Sequence, residues 1–282
     1  MTRVRLSVST FVYLNYPLEE AIKRIASFGY HGVEIWGGRP HAYRRDLSAA
    51  EIEALRALLA KHGLEISGFI PAQFRYPTNL CIANERIRQD SIRYIQDSIE
   101  TVASLGAPLV SICPGHSLYG QGREDAWERL KGSLRTLSGF AAERGIRLAV
   151  EPADRYETDL VQTSDDALRL LEELGLDNLG VVFDTGHGHV LGEDLGEAVR
   201  KLGSALFHIH IDDNHGQRDE HLIPGDGTVD FASFLTTLEE TDYRGFLTVE
   251  LGFGYTTNPD EAVRESARRL SKRELLLHQA SL

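Results

Sequence analysis

Along the chain, short apolar runs rich in β-branched residues alternate with longer stretches in which apolar positions recur every three or four residues. The first spacing belongs to strands and the second to amphipathic helices, so the alternation predicts βαβ units on a parallel sheet. Eight runs read as strands, near Arg5–Thr10, Gly32–Trp36, Glu65–Ile70, Leu109–Cys113, Arg147–Glu151, Gly180–Asp184, Leu206–Ile211 and Leu247–Leu251. Helices are predicted between them at Leu18–Phe28, Ala49–His62, Asn84–Leu105, Glu124–Arg144 and Ser164–Leu174, then at Leu195–Lys201, Phe231–Glu240 and Asp260–His278.

Gly29, Gly63, Gly106, Gly145, Gly175 and Gly245 each stand just before a predicted strand, where a left-handed residue closing the preceding helix is expected. Two doubly wound domains would alternate in a similar way. However, no Gly-rich phosphate-binding turn follows the first strand, and no break in composition marks a boundary. A (β/α)₈ barrel takes roughly 250 residues, and the chain has 282. The pattern therefore predicts an α/β protein built as one (β/α)₈ TIM barrel, a single domain over residues 1–282.

Charge narrows the function. A formal net charge of −12 opposes any role that requires neutralising many phosphates, so nucleic acid is not an expected partner. Cys81 and Cys113 are the two cysteines; they form neither a disulfide framework nor a zinc or redox pattern, which fits a reducing, cytoplasmic setting. No secretory leader is read at the N-terminus, and no run of about 18 apolar residues suggests a membrane span.

In barrels of this kind chemistry gathers where strands end and the following loops begin. Strands five to eight end in Leu-Ala-Val-Glu151, Val-Val-Phe-Asp184, His208-Ile-His210 and Leu-Thr-Val-Glu250. A lone carboxylate at a strand end is as often a helix cap as a ligand. Four ionisable ends in succession point instead to one divalent cation, whose coordination offsets the cost of desolvating the acids. Oxygen donors with one imidazole suit Mn²⁺ or Mg²⁺, and Co²⁺, Fe²⁺ or Zn²⁺ would also bind. His208 points the same way as His210 but lies deeper, as strand alternation requires, and is expected behind the ligands.

Val-Glu151-Pro, Phe-Asp184-Thr-Gly-His187, His-Ile-His210 and Val-Glu250 resemble the xylose isomerase-like barrel superfamily, which holds sugar isomerases and epimerases together with endonuclease IV. The resemblance runs nearly end to end. Gly32-Val-Glu-Ile-Trp-Gly-Gly-Arg39-Pro-His41 and Asp219-Glu-His221-Leu-Ile-Pro-Gly-Asp-Gly227 are most similar to the fructoselysine 3-epimerase and ketose 3-epimerase branches. The resemblance implies one divalent ion per chain, Mn²⁺ first, held by Glu151, Asp184, His210 and Glu250. It also implies Glu157 and His187 at the C1–C3 end of a small sugar substrate, Arg218 and His221 nearby, and a homodimer or homotetramer. The endonuclease branch shares Asp184-x-x-His187, Asp219-x-His221 and Tyr76-x-x-Asn79-Leu80. Where that branch places histidines after strands three and four, this chain has Gln73 and Cys113, so a trinuclear zinc cluster would lack part of its cage.

The expected activity is C3 epimerisation of a ketose or ketose derivative through a metal-stabilised cis-enediolate, with Glu151 and Glu250 exchanging acid and base roles on opposite faces. An aldose–ketose isomerase of the hydroxypyruvate type and a lyase like 3-dehydroshikimate dehydratase use similar residues. A non-catalytic sugar-binding barrel is the remaining class. The early loops offer Trp36, Phe69, Phe74 and Tyr76 as apolar walls, although large aromatics are more often simply buried. Arg39 and His41 are candidates to meet a polar substrate tail, although such an arginine more often forms a surface ion pair. Gly115–Gly122 reads equally as a lid or as an ordinary loop.

Overall fold

Two kinds of local signal set the elements. Ser48 and Thr163 each accept a backbone N–H three residues on, while Glu51 and Asp166 reach back to them, so the helices Ala49–His62 and Ser164–Leu174 start on capping boxes. Asn84, Asp184, Asp194 and Asp230 start further helices through their side-chain oxygens. The computed structural model describes residues 5–73, 77–241, 243–271 and 275. In chain order these form β1 (Arg5–Ser9), α1 (Leu18–Ala26), β2 (Gly32–Gly37), α2 (Ala49–His62), β3 (Glu65–Pro71), α3 (Glu85–Leu105), β4 (Leu109–Ile112), α4 (Arg123–Ala142) and β5 (Arg147–Val150). There follow α5 (Ser164–Leu174), β6 (Leu179–Asp184), α6 (Thr185–Leu191), α7 (Leu195–Leu202), β7 (Leu206–Ile211), α8 (Phe231–Glu240), β8 (Phe246–Val249) and α9 (Pro259–Ser271).

The strands pair in parallel in sequence order, and β8 returns to β1, closing the barrel predicted from the alternation. Val8, Val33, Ile35, Val110, Ile209 and Val249 are fully buried, as strands covered on both faces must be. Inside the barrel, Leu109, Ala149 and Val182 from β4, β5 and β6 form a small separate apolar cluster. Two residues further along, on the same face of each strand, come Ser111, Glu151 and Asp184. The polar layer at the mouth thus rests on an apolar floor. Among the described residues, no helix is long and apolar enough to cross a membrane.

Two local expectations are corrected. Gly29, Gly63, Gly106, Gly145 and Gly175 do take positive φ, but Gly245 does not. Its missing Cβ instead leaves room for the Tyr243 ring folded over it, and α8 closes on Thr241 in extended backbone. The segment after Asp184, which falls outside every predicted element, is helix α6, because Asp184 accepts the N–H of His187 at 2.9 Å and starts the turn despite Gly186 and Gly188. The predicted last helix runs in part beyond the described residues.

Candidate active site

β5, β6, β7 and β8 bring Glu151, Asp184, His210 and Glu250 together, one ligand atom of each lying within 4.8 Å of every other. Nδ1 of His210 is the centre: it lies 2.6 Å from Oε1 of Glu151, 2.9 Å from Oε2 of Glu250 and 3.8 Å from Oδ2 of Asp184. Asp184 spends Oδ1 on the N-terminus of α6, while its buried Oδ2 has no hydrogen-bond partner. Oε2 of Glu151 accepts from the Ser111 hydroxyl at 3.3 Å.

Electrostatics match this crowding. Burial works against a charged His210, but Glu151, Glu34 and Glu250 outweigh it and hold its pKa well above the ordinary imidazole range. Burial likewise opposes the charge on Glu250, yet His210 keeps that carboxyl below its usual range. Asp184 goes the other way: burial, with the charge of Asp219 adding and His187 opposing, lifts it to about 7. Three carboxylates, one of them with an unpartnered buried oxygen, and one imidazole form a donor set that fits a hard divalent cation.

Beneath this layer sits a residue that sequence reasoning passed over. Glu34, on β2, is fully buried, with Nε2 of His210 3.2 Å from each of its oxygens and Nε2 of His208 3.2 Å from Oε1. His208 also meets the Thr248 hydroxyl at 2.9 Å, and Thr248 in turn bonds to Ser7. Burial raises the Glu34 carboxyl, but the two imidazoles outweigh it and hold it at about 2. The signal was available as a charge inside the apolar run Val33-Glu34-Ile35, since such a charge is retained only where partners face it.

A second group of side chains lies beside the first. Asp184, Asp212 and His221 also offer ligand atoms within 4.8 Å of one another. His221 stands between two carboxylates, with Nδ1 2.6 Å from Asp212 and Nε2 3.1 Å from Asp219. Burial opposes its charge, but Asp219 and Asp212 hold its pKa well above the ordinary range. Nδ1 of His187 accepts the N–H of Asp154 at 3.3 Å and lies 3.5 Å from Asp219. Gly186 makes the approach possible: a Cβ there would fall 2.5 Å from Oδ1 of Asp212 and collide with Asp219. Asp212 was also missed, because the run Asp212-Asp213-Asn214 reads as a polar loop start.

The Gly-rich end of the 219–227 motif has a structural explanation. Asp213 accepts the backbone N–H groups of Gly225, Gly227 and Val229 at 2.9, 2.8 and 3.0 Å. A Cβ at Gly227 would collide with Asp213 and Asn214. The loop is therefore wound around one buried carboxylate, and this holds Asp219 and His221 in place.

Glu157 and Arg218 line one cavity of about 710 Å³ with Asp154, Tyr156, Asp219 and Glu220. The Glu157 carboxyl is raised to about 7, chiefly by burial, with Glu151 and Asp154 adding and His187 and His221 opposing. Between its usual 4.5 and about 7 the folded chain therefore holds a proton that the unfolded chain has lost. Its contribution to stability falls as pH rises through that window, and the full penalty of burying the ion applies above it. In chelator-treated protein, Glu157→Gln is accordingly expected to raise Tm relative to the parent at about pH 8, with the gap closing near pH 4. Melting curves across that range check this; a gap independent of pH would refute it.

Trp36 stands at the end of β2, edge-on to Phe11 at 5.0 Å, and Phe11 meets Phe253 at 4.9 Å, so three aromatics join across the rim. In the other early loops the plainer readings hold for Arg39 and Phe69, and the expectation for His41 is corrected. His41 is buried and bonded to Thr10, Tyr13 and Tyr16. Arg39 pairs with Asp46 at 2.5 Å on the surface, and Phe69 is in the core. Phe74 and Tyr76 lie outside the described residues. Gln73 and Cys113 are neighbours, with Oε1 of Gln73 accepting the Cys113 N–H at 3.0 Å. The loop after β4 is tied down by Asn79 bonding to His116 O at 2.9 Å and by Ser117 N–H bonding to Asp159 at 2.8 Å.

A family model of the Xylose isomerase-like TIM barrel matches residues 22–273. The chain belongs to this family. Fructoselysine 3-epimerase of Shigella flexneri is 32% identical over 253 residues, covering 90% of this chain and 92% of that enzyme. The crystal structure of a D-tagatose 3-epimerase-like protein superposes with a TM-score of 0.80 at 24% identity, covering 96% of this chain and all (100%) of the other. D-psicose 3-epimerase, crystallised in the presence of D-fructose, gives 0.81 at 17% identity, covering 97% and 99%. At these identities the two structures show a shared fold alone.

Proposed function

We propose that the chain is a divalent-metal-dependent epimerase acting at C3 of a ketose or ketose derivative, with one ion per chain and Mn²⁺ as the working metal. The observation that carries this reading is the convergence of Glu151 and Glu250, from the ends of β5 and β8, on the same nitrogen, Nδ1, of His210. The two strands are three apart around a closed ring, so the carboxylates reach a substrate at the mouth from different sides. The similarity to fructoselysine 3-epimerase supports the same class of reaction.

When bound, a divalent cation held by Glu151, Asp184, His210 and Glu250 supplies Lewis-acid polarisation of the ketose carbonyl. The protein side chains handle the proton. One glutamate takes the C3 proton from one face, leaving an enediolate, and the other, protonated, returns a proton to the opposite face. The roles reverse with reaction direction. On this reading Glu157, whose carboxyl burial raises to about 7, and His187 bind the oxygens at the C1 end, with Arg218, which lines the same cavity as Glu157, and His221 as further substrate contacts.

The test is solvent-deuterium incorporation with Mn²⁺ present, across ketohexoses, ketopentoses, hydroxypyruvate and fructosamines. Deuterium at C3 with formation of the C3 epimer is the expected result. Movement of label between C1 and C2 would make the enzyme an aldose–ketose isomerase, and an absorbing aromatic product from 3-dehydroshikimate would make it a lyase. Absence of exchange in any ketose would remove the reading.

A further inference from the structure

We propose that Glu34 is a positioning residue for His210: it accepts the Nε2–H of the imidazole from below and so leaves the Nδ1 lone pair facing Glu151, Asp184 and Glu250. The inference rests on the reading of those four side chains as a cation site.

A neutral imidazole carries one N–H and offers one lone pair, and the partner of the first nitrogen decides which atom is free to bind an ion. In His210 the two nitrogens are cleanly divided. Nδ1 has the three carboxylates of the rim within 3.8 Å. Nε2 has the two oxygens of Glu34, each at 3.2 Å. Both residues are fully buried, so no solvent stands in as an acceptor.

The surrounding strands make room for this carboxylate. Gly68 on β3 faces it, and a Cβ there would fall 2.8 Å from Oε1. The β2–β3 register shifts between Val33 and Glu34, an irregularity of the kind that re-aims a side chain. A buried carboxylate without partners is strongly disfavoured. The ionisable partners found for Glu34 are His208 and His210 of β7, and His208 is steadied by Thr248 on β8. A residue that merely filled the floor of the barrel would need no charge. This one links β2, through Nε2, to the imidazole whose Nδ1 faces the rim.

Two measurements separate positioning from filling. In Zn²⁺-saturated protein labelled with ¹⁵N-histidine, long-range ¹H–¹⁵N correlation spectra are expected to show His210 protonated at Nε2 and unprotonated at Nδ1; the reverse tautomer would overturn the inference. Mn²⁺ affinity, read from the electron paramagnetic resonance of the free ion, is expected to weaken about 10–100-fold in Glu34→Met, which keeps volume but loses the acceptor. Wild-type affinity in folded Glu34→Met would also overturn it. Should that variant fail to fold, the His210 tautomer in the parent protein carries the test alone, with protonation at Nε2 supporting the inference and protonation at Nδ1 overturning it. A parent protein that binds neither ion would sink the cation reading itself, whereas tight binding by the parent and by Glu34→Met alike would sink only the role of Glu34.

Discussion

Glu250→Gln is expected to lower epimerisation about 10²–10⁴-fold, the usual worth of a positioned acid–base group, while retaining measurable Mn²⁺ binding. The amide keeps an oxygen where the carboxylate had one, so coordination weakens without being lost, but it neither accepts nor returns a proton. The two-base geometry makes the prediction sharper. With Glu250 disabled, one C3 epimer should still exchange its proton through Glu151 but should not invert, and the other epimer should not exchange. Glu151→Gln should give the mirror pattern. NMR of each epimer in deuterated buffer reads both outcomes. Epimerisation at the parent rate in either variant would exclude the two-base mechanism.

Chelation is the second large effect. Stripping divalent ions with EDTA is expected to reduce turnover about 10²–10³-fold or more, because Lewis-acid stabilisation worth several kcal/mol is lost and each 1.36 kcal/mol is tenfold in rate. Added Mn²⁺ should restore it. The ion should also raise thermal stability, by about 2.7 kcal/mol at a hundred times its Kd. Elemental analysis of the reloaded protein should find one ion per chain. A stripped enzyme that retains full activity would end the metal-dependent reading. A count of two would direct attention to Asp212 and His221, which form the neighbouring group with Asp184.

Much of this architecture could be read from residue order because the signals were local. The strand–helix alternation and the positive-φ glycines each act within a few residues, and the eight strands fall within a residue or two of their predicted bounds. The strand-end rule brought out Glu151, Asp184, His210 and Glu250, whose side chains meet in space. It overlooked Glu34 and Asp212 for opposite reasons. Glu34 lies mid-strand, where its partners come from β7 across the barrel interior. Asp212 lies in a run of polar residues whose neighbours Asp219 and His221 approach only once the loop has wound around Asp213. His41 failed in the other direction: its motif is distinctive, yet its ring serves the backbone of Tyr13 and Tyr16.

Asp184 divides its two oxygens between different duties, one fastened to the first turn of α6 and the other left open toward the rim. The anchored oxygen keeps the carboxylate aimed whether or not anything is bound, so exchanging one ion for another should require only small side-chain adjustments and no refolding of the chain. Dialysis against a series of metals would then compare the ions themselves, and the order of rates obtained would reflect their chemistry as acids.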